Sequence, residues 1–242
     1  MKDKDIIKLK EQVYDANMAL VRHKLVIFTF GNVSAIDRQK DVIAIKPSGV
    51  DYEKLKPQDM VLIDMDGNKL EEGLNPSSDT KTHIELYRAF ENIRGVAHTH
   101  SRYATVFAQA ILPIKCLGTT HADYFYGDIP CTEPITDSSI EGDYEKETGV
   151  LIIKTFKSLG LDYSHIKACL VGCHGSFTWG DSADDAVFAS AILEEIAMQN
   201  LYTQLINPSV KSIKNTILDK HYKRKHGKDA YYGQKRSIYR AK

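Results

Sequence analysis

Residues 95–101 read Gly-Val-Ala-His-Thr-His-Ser, a short stretch of strand-forming residues that ends in two histidines. Alternate side chains of a strand point to the same face, so His98 and His100 project together and their imidazoles can reach one ion. Two interpretations of this pair stand: metal ligation, or two hydrogen-bonded histidines at a strand end. Further candidate ligands elsewhere in the sequence are needed to choose between these two interpretations.

The patterns on either side of this stretch predict an alternation of strands and helices. Runs of β-branched and aromatic residues between turn residues predict strands over 26–36, 41–45, 60–65, 95–100 and 168–171. Apolar residues at helical spacing predict helices over 4–22, 79–92, 101–111, 144–159, 184–206 and 209–226. The first three strands follow one another closely and are expected to pair antiparallel. We therefore expect one α/β domain with a mixed sheet over residues 1–242.

Composition and charge narrow the class of protein. With 242 residues, 43% of them hydrophobic and 26% charged, the chain matches an average globular domain with one core. Its formal net charge of zero gives no argument for binding nucleic acid or an anionic membrane. Residues 211–242 nevertheless contain 11 Lys/Arg and 2 Asp/Glu, so a basic arm, 209–242, follows an acidic body. The arm is either a solvated face or a contact to the acidic body of a neighbouring subunit.

The same sequence predicts where the protein resides. No apolar run reaches the roughly 20 residues that span a bilayer, and the first residues lead into an amphipathic segment rather than a signal peptide. The four cysteines have no CxxC spacing, and a domain of this size has little need of disulfides. We therefore expect a soluble, cytoplasmic protein with reduced thiols.

His174 is the best candidate for a third metal ligand. It lies in Leu170-Val-Gly-Cys-His-Gly175, where a predicted strand gives way to a glycine-flanked turn that can aim a side chain into a cleft. Three imidazoles would leave a position open on a zinc ion, which is typical of a catalytic site. Cys173, directly before it, is the rival ligand.

Two further stretches suit an anionic ligand. Lys46-Pro-Ser-Gly49 closes a predicted strand, and Pro76-Ser-Ser-Asp79 opens a predicted helix, where free backbone N–H groups favour a phosphate. Alternatively, the second stretch simply caps its helix. A carboxylate here, Asp79 or Glu85, could also act as a metal ligand or a general base.

Side chains able to move protons are concentrated in two other places. Residues 118–127 read Gly-Thr-Thr-His-Ala-Asp-Tyr-Phe-Tyr-Gly, without a periodic apolar face. The basic arm again contains aspartate, histidine and tyrosine, in Asp219-Lys-His-Tyr222 and Ala230-Tyr-Tyr-Gly233.

Read together, these motifs resemble the class II aldolase/epimerase superfamily, and within it the L-ribulose-5-phosphate 4-epimerases. The resemblance runs from about residue 10 to residue 234 and also includes Gly31-Asn-Val-Ser34. Each motif is weak alone, whereas their number and order make the set specific. The implied fold is a three-layer α/β/α domain around a mixed, largely antiparallel sheet.

The resemblance also implies a set of site residues. It implies a divalent metal, commonly zinc with Mn²⁺ or Co²⁺ possible, on Asp79, His98, His100 and His174. It implies that the sugar phosphate binds to Asn32, Lys46, Ser48, Gly49, Ser77 and Ser78. The implied acid/base pair is Asp123 and Tyr232, contributed by an adjacent subunit of a homotetramer, with His221 as a further active-site residue.

The implied reaction interconverts L-ribulose 5-phosphate and D-xylulose 5-phosphate, in pentose catabolism of the arabinose or ascorbate type. Because the C4 hydrogen of such a ketose is not acidic, the stereocentre is inverted by breaking and remaking the C3–C4 bond. The closest alternative is an aldolase of the L-fuculose or L-rhamnulose 1-phosphate type. In those aldolases a glutamate at this position serves as the base, whereas this chain has the shorter Asp79, as the epimerases do. A hypothesis from another class is a non-catalytic metal- or sugar-binding protein that has kept the fold.

Overall fold

A computed structural model describes residues 4–232, and the last ten residues of the predicted arm lie outside that range. Six strands form one sheet in the order β3-β2-β1-β4-β6-β5. They are β1 (Asn32–Asp37), β2 (Val42–Ile45), β3 (Val61–Ile63), β4 (Gly95–Thr99), β5 (Ala168–Val171) and β6 (Gly175–Gly180). Neighbouring strands all pair antiparallel, and a parallel component is present as an isolated bridge between Cys131 and Leu170.

Strand β6 is a strand that the sequence patterns miss, although it lies inside the sheet between β4 and β5. Its sequence, Gly-Ser-Phe-Thr-Trp-Gly, contains too many small and polar residues for a typical buried strand. The structure satisfies these polar side chains: Thr178 donates to the Ala186 carbonyl (2.8 Å) and shares a hydrogen bond with Ser190 (2.6 Å). Hydrogen-bonded hydroxyls can be buried at little cost, so burial here does not require an apolar run.

Helices cover both faces of the sheet. They are α1 (Lys4–Arg22), α2 (Thr80–Ala89), α3 (Arg102–Ala110), α4 (Thr119–Ala122), α5 (Asp137–Glu141), α6 (Tyr144–Leu159), α7 (Ala183–Ile206) and α8 (Asn215–His226). The short helices α4 and α5 were not expected, and α8 begins six residues after the predicted start at Ser209. The predicted strand over 26–36 is also shortened, because the chain is irregular before Asn32 and Phe28 has a positive φ of 53°.

Two apolar clusters pack against opposite faces of this sheet. Ile43 and Ile45 of β2 point into a cluster with α2, α3 and α6, whereas Ala44 points into a cluster with α1. This alternation follows the two-residue period of a strand. The result is the three-layer α/β/α arrangement that the resemblance implied.

Two further sequence expectations can be compared with the structure. All four cysteines are free thiols, with Cys173 exposed. Within residues 4–232, no helix combines the length and apolarity needed to cross a bilayer.

Two buried histidines predict how stability responds to acid. Burial lowers the pKa of His83 to about 3 and that of His121 to about 4. Both bind a proton more readily in the unfolded chain, near pH 6.5, so folding loses stability as the pH falls from there. We expect the metal-free protein to lose about 3 kcal/mol per histidine between pH 7 and pH 4. Urea unfolding followed by Trp179 fluorescence measures this, and a flat stability profile across that window would contradict it.

Candidate active site

Three imidazoles converge at the end of β4. The ring centroids of His98, His100 and His174 form a nearly equilateral triangle with sides of 4.8, 4.8 and 4.9 Å. One nitrogen of each ring lies within 4.8 Å of the other two. The expectation that His98 and His100 share a face is confirmed, and the structure brings His174 to the same point.

The surroundings of His98 fix which of its nitrogens faces the other two rings. Its Nδ1 donates a hydrogen bond to the Ser176 carbonyl (3.0 Å), and its ring stacks on Phe177 with centroids 4.3 Å apart. This hydrogen bond places a proton on Nδ1 and leaves Nε2 facing the other rings, the arrangement typical of a metal-ligating histidine. That Nε2 lies 3.0 Å from the Nε2 of His100. Two nitrogens about 2.0–2.1 Å from one ion lie roughly 3 Å apart, so this spacing suits a shared metal.

His174 reaches the cluster from the hairpin between β5 and β6. Cys173 takes a positive φ of 63° there and hydrogen-bonds through its N–H to the Ala108 carbonyl (2.9 Å). The turn aims His174 inward, and the Tyr144 hydroxyl lies 3.4 Å from its Nδ1. Cys173 brings no ligand atom into this group among the residues described. The histidine, not the cysteine, is therefore the third ligand candidate.

The protonation of these rings suits a metal ion. Burial, reinforced by His98, lowers the pKa of His100 to about 4 and that of His174 to about 3. Both rings are neutral at pH 7, which is the form that binds a metal. His98 is buried, His174 half-buried and His100 exposed, so one side of the triangle opens to solvent. Three converging ring nitrogens with an open side fit a divalent metal with room for a further ligand.

Asp79 does not cap helix α2 as the simpler interpretation predicts. It occupies the N-cap position, but its side chain makes no capping hydrogen bond. Its Oδ2 instead accepts from Asn32 Nδ2 (2.7 Å) and from the Ser77 hydroxyl (3.4 Å). Burial opposes ionisation, but His98, His83 and Asn32 outweigh it and lower the pKa of Asp79. The carboxylate lies outside the group of three imidazoles, and its role as a ligand stays a prediction.

The two stretches predicted for anion binding lie side by side. Pro47 and Pro76 form an isolated antiparallel bridge, and the Ser77 N–H donates to the Lys46 carbonyl (3.0 Å). Asn32 connects this pair of loops to the metal-side residues, because its Nδ2 contacts Ser77 Oγ (3.0 Å) as well as Asp79. The remaining predicted binding residues, Ser48, Gly49 and Ser78, are exposed in the same loops.

Lys46 is buried, which is unusual for a lysine. Its ammonium donates to the Thr29 carbonyl (3.2 Å) and lies 4.7 Å from the centroid of the Tyr52 ring. Burial lowers the pKa of Lys46 to about 8, despite the opposing effect of Asp51. An incoming phosphate would offset the cost of burying this cation.

A second cluster surrounds Asp123, at the C-terminal end of α4. Its carboxylate contacts His221 Nδ1 (3.0 Å) and the Arg224 guanidinium (2.9 Å) on α8. Burial alone would raise the pKa of Asp123, but hydrogen bonds from His221 and Arg224 and the charge of Lys225 hold it below its usual range. Tyr232 lies against Arg224 and is 53% exposed. The predicted acid/base pair, Asp123 and Tyr232, and the further predicted active-site residue His221 are thus brought together.

No hydrogen bond, ion pair or ring contact within residues 4–232 joins this second cluster to the three imidazoles. Sequence reasoning missed three residues at the two clusters. Tyr144 and His83 fall inside predicted helices, where nothing in the pattern distinguishes them from packing residues. Arg224 belongs to the basic arm, where it is one of many cations.

Gly175 permits the close approach of β6 to two of the histidines. A Cβ at this position would lie 2.7 Å from the Thr99 carbonyl oxygen, which is too close for a normal contact. It would also lie 3.3 Å from His100 Cδ2 and 3.4 Å from His98 Cε1, in tight contact with both rings. We expect Gly175→Ala to destabilise the fold by about 1–3 kcal/mol through overpacking and to weaken metal binding about 10-fold or more. Gly118→Ala is the control, because nothing lies within 4 Å of its added Cβ. Equal metal affinity and stability of the two variants would contradict this account.

Comparisons with known proteins agree with this architecture. Residues 11–201 match the family model of the class II aldolase and adducin N-terminal domain. The L-ribulose-5-phosphate 4-epimerase UlaF of Salmonella paratyphi C (strain RKS4594) is 50% identical over 228 residues, covering 94% of this chain and 99% of that protein. UlaF of Salmonella choleraesuis (strain SC-B67) matches equally well.

A solved structure supports the fold independently of close sequence similarity. An L-fuculose 1-phosphate aldolase superimposes with a TM-score of 0.77 at 24% identity, covering 93% of this chain and 97% of that one. Family match, relatives and fold lead to one conclusion: the chain belongs to the class II aldolase and adducin N-terminal domain family.

Proposed function

We propose that this protein is a metal-dependent L-ribulose-5-phosphate 4-epimerase that interconverts L-ribulose 5-phosphate and D-xylulose 5-phosphate. The observation that carries the proposal is the convergence of three imidazoles in a chain that is 50% identical to named 4-epimerases over nearly its whole length. We place the reaction in pentose catabolism of the arabinose or ascorbate type. Because its substrate and product are phosphorylated sugars, we propose a cytoplasmic location for the enzyme.

We assign the metal to His98, His100 and His174, with Asp79 as the fourth protein ligand. Zinc is the proposed ion, because it readily accepts three nitrogens and a carboxylate oxygen, and Mn²⁺ and Co²⁺ accept the same set. When bound, such an ion supplies Lewis acidity that stabilises negative charge developing on the substrate oxygens. The chain's part is to orient the rings, as the Ser176 carbonyl does for His98.

We assign the phosphate to the paired loops. Lys46 provides a partly desolvated positive charge, and Ser48, Gly49, Ser77 and Ser78 provide hydroxyl and N–H donors beside the first turn of α2. Asn32 completes the set, since its amide already contacts Ser77 and Asp79. Holding the phosphate keeps the aldehyde fragment in place after the C3–C4 bond breaks, so that it can turn and re-add from its other face.

We assign proton transfer at the C4 oxygen to Asp123 and Tyr232. Cleavage removes the C4 hydroxyl proton, and re-addition returns a proton to the same oxygen from the opposite face. Two groups are therefore needed, one for each face. His221, which contacts Asp123 at 3.0 Å, orients that carboxylate.

The acid/base pair is proposed to serve the imidazole cluster of a neighbouring subunit in a homotetramer. Two observations support this: the pair lacks described contacts to its own chain's imidazoles, and Tyr232 is half exposed. The end of α7 also carries exposed apolar side chains, among them Leu205 (68%) and Ile206 (86%), which a subunit contact would cover. We treat residues 1–242 as one domain whose arm, 209–242, makes this contact.

The test is an assay of the purified, metal-loaded protein on L-ribulose 5-phosphate, with D-xylulose 5-phosphate and free glycolaldehyde phosphate followed separately. We expect chelator-sensitive formation of xylulose 5-phosphate with little free aldehyde. Accumulating aldehyde would instead identify an aldolase, and no turnover by protein that retains its metal would contradict the proposed substrate.

A further inference from the structure

Arg224 contacts both residues proposed for proton transfer. Its Nη2 lies 2.9 Å from Asp123 Oδ1 and 3.0 Å from Oδ2, and its Nε donates to Oδ1 at 3.2 Å. The same guanidinium lies 4.3 Å from the centroid of the Tyr232 ring. The ion pair is largely shielded from water, with 13% of the Asp123 side chain and 21% of the Arg224 side chain exposed.

The backbone of Arg224 also contacts the segment that carries Tyr232. Its carbonyl oxygen accepts hydrogen bonds from the N–H groups of Tyr231 and Tyr232, both at 3.0 Å. The chain past the end of α8 is thereby folded back, and the Tyr232 ring is placed against the guanidinium. One residue thus fixes the tyrosine through its main chain and its side chain.

Other basic side chains near Asp123 make only some of these contacts. Lys225 Nζ lies 3.5 Å from Asp123 and 5.0 Å from the Tyr232 ring centroid. His221 contacts the carboxylate but not the tyrosine, and His226 donates to the Asp123 carbonyl oxygen (2.9 Å). Only a planar guanidinium can offer a two-pronged fork to a carboxylate while its face lies against a ring.

Contacts other than the Arg224 ion pair also attach α8 to the body. Tyr222, which is 8% exposed, packs on Tyr126 with ring centroids 5.0 Å apart and on His165 at 5.5 Å. These contacts do not involve the Arg224 guanidinium and are expected to persist in its variants.

We propose that Arg224 is a positioning residue that holds Asp123 and Tyr232 in a fixed mutual arrangement for proton transfer. The inference rests on the proposed function, because only there are these two residues an acid/base pair. A displacement of about 1 Å in such a pair lowers turnover by about 100-fold. The guanidinium serves both groups, so both directions of the reaction depend on it equally.

The test compares Arg224→Gln, Arg224→Lys and the control Lys223→Gln in the full-length, metal-loaded protein. Lys223 is the adjacent cation of the same helix, but it pairs with Asp219 rather than with Asp123. We expect Arg224→Gln to lower kcat about 100-fold in both directions, with a much smaller change in KM and unchanged metal content. Arg224→Lys should recover part of this loss, and added guanidinium ion should partly restore Arg224→Gln.

The pH profile separates positioning from folding. With Arg224 removed, Asp123 keeps Lys225 as a charged neighbour and His221 and His226 as titratable neighbours. Because the guanidinium lowers the pKa of Asp123, its loss should move the acid limb of kcat to higher pH. The inference would be overturned if Arg224→Gln matched Lys223→Gln in its turnover, in the acid limb of its pH profile and in its response to guanidinium ion. That outcome would leave the epimerase assignment intact.

An inactive wild type would contradict the proposed function instead. In that case, a crystal structure of metal-loaded Arg224→Gln decides the positioning itself. A displaced Tyr232 or Asp123 supports it, and an unchanged pair overturns it.

Discussion

Metal content and epimerase activity should disappear together in His98→Ala. His98 is 2% exposed, its Nδ1 donates to the Ser176 carbonyl, and its Nε2 lies 3.0 Å from the Nε2 of His100. Without it, the remaining rings cannot complete a three-nitrogen site. Losing the Lewis acidity costs several kcal/mol of transition-state stabilisation, so activity should fall by about 10³-fold or more. Metal per subunit, measured by mass spectrometry after gel filtration, should fall close to zero.

A matched control is Cys173→Ser, which changes the rival ligand in the same site. A serine retains the side-chain size at a position with positive φ, and Cys173 brings no ligand atom into the cluster. Metal content and turnover of this variant should equal those of the wild type. Full metal occupancy in His98→Ala, or metal loss in Cys173→Ser, would refute the ligand assignment.

The second large effect is expected for Tyr232→Phe, which removes one hydroxyl from a residue that is 53% exposed. The phenylalanine ring keeps its position over Arg224, so folding and metal content should be unchanged. Loss of one proton-transfer group typically lowers the rate by about 10²- to 10⁴-fold, and we expect kcat to fall in this range.

The neighbouring tyrosine provides the control for this variant. Tyr231 is 68% exposed and its ring lies near Lys220 rather than Arg224, so Tyr231→Phe should retain turnover. Turnover of Tyr232→Phe at the level of Tyr231→Phe would remove Tyr232 from the mechanism.

The metal-side geometry could be predicted because it depends on local rules. The two-residue period of a strand places His98 and His100 on one face, and the glycine-flanked turn before β6 aims His174 inward. The proximity of the Lys46 and Ser77 loops could be predicted only as a hypothesis, since it depends on a bridge between residues far apart in sequence.

Other features depend on tertiary contacts that leave no pattern in the sequence. Serine and aspartate at a helix start suit both capping and ligand binding, so the orientation of Asp79 toward Asn32 is visible only in the structure. Strand β6 was missed because its buried hydroxyls are satisfied by distant partners. Arg224 was missed because its role comes from the docking of α8 beside Asp123.

The most direct test of the central claim is to run the reaction in D₂O and follow it by ¹H NMR. If epimerisation breaks and remakes the C3–C4 bond, the C4 hydrogen never leaves carbon, because only the C4 hydroxyl proton is exchanged. We predict chelator-sensitive conversion of L-ribulose 5-phosphate to D-xylulose 5-phosphate with hydrogen retained at C4. Deuterium at C4 of the product, or no conversion by the metal-loaded protein, would contradict the account.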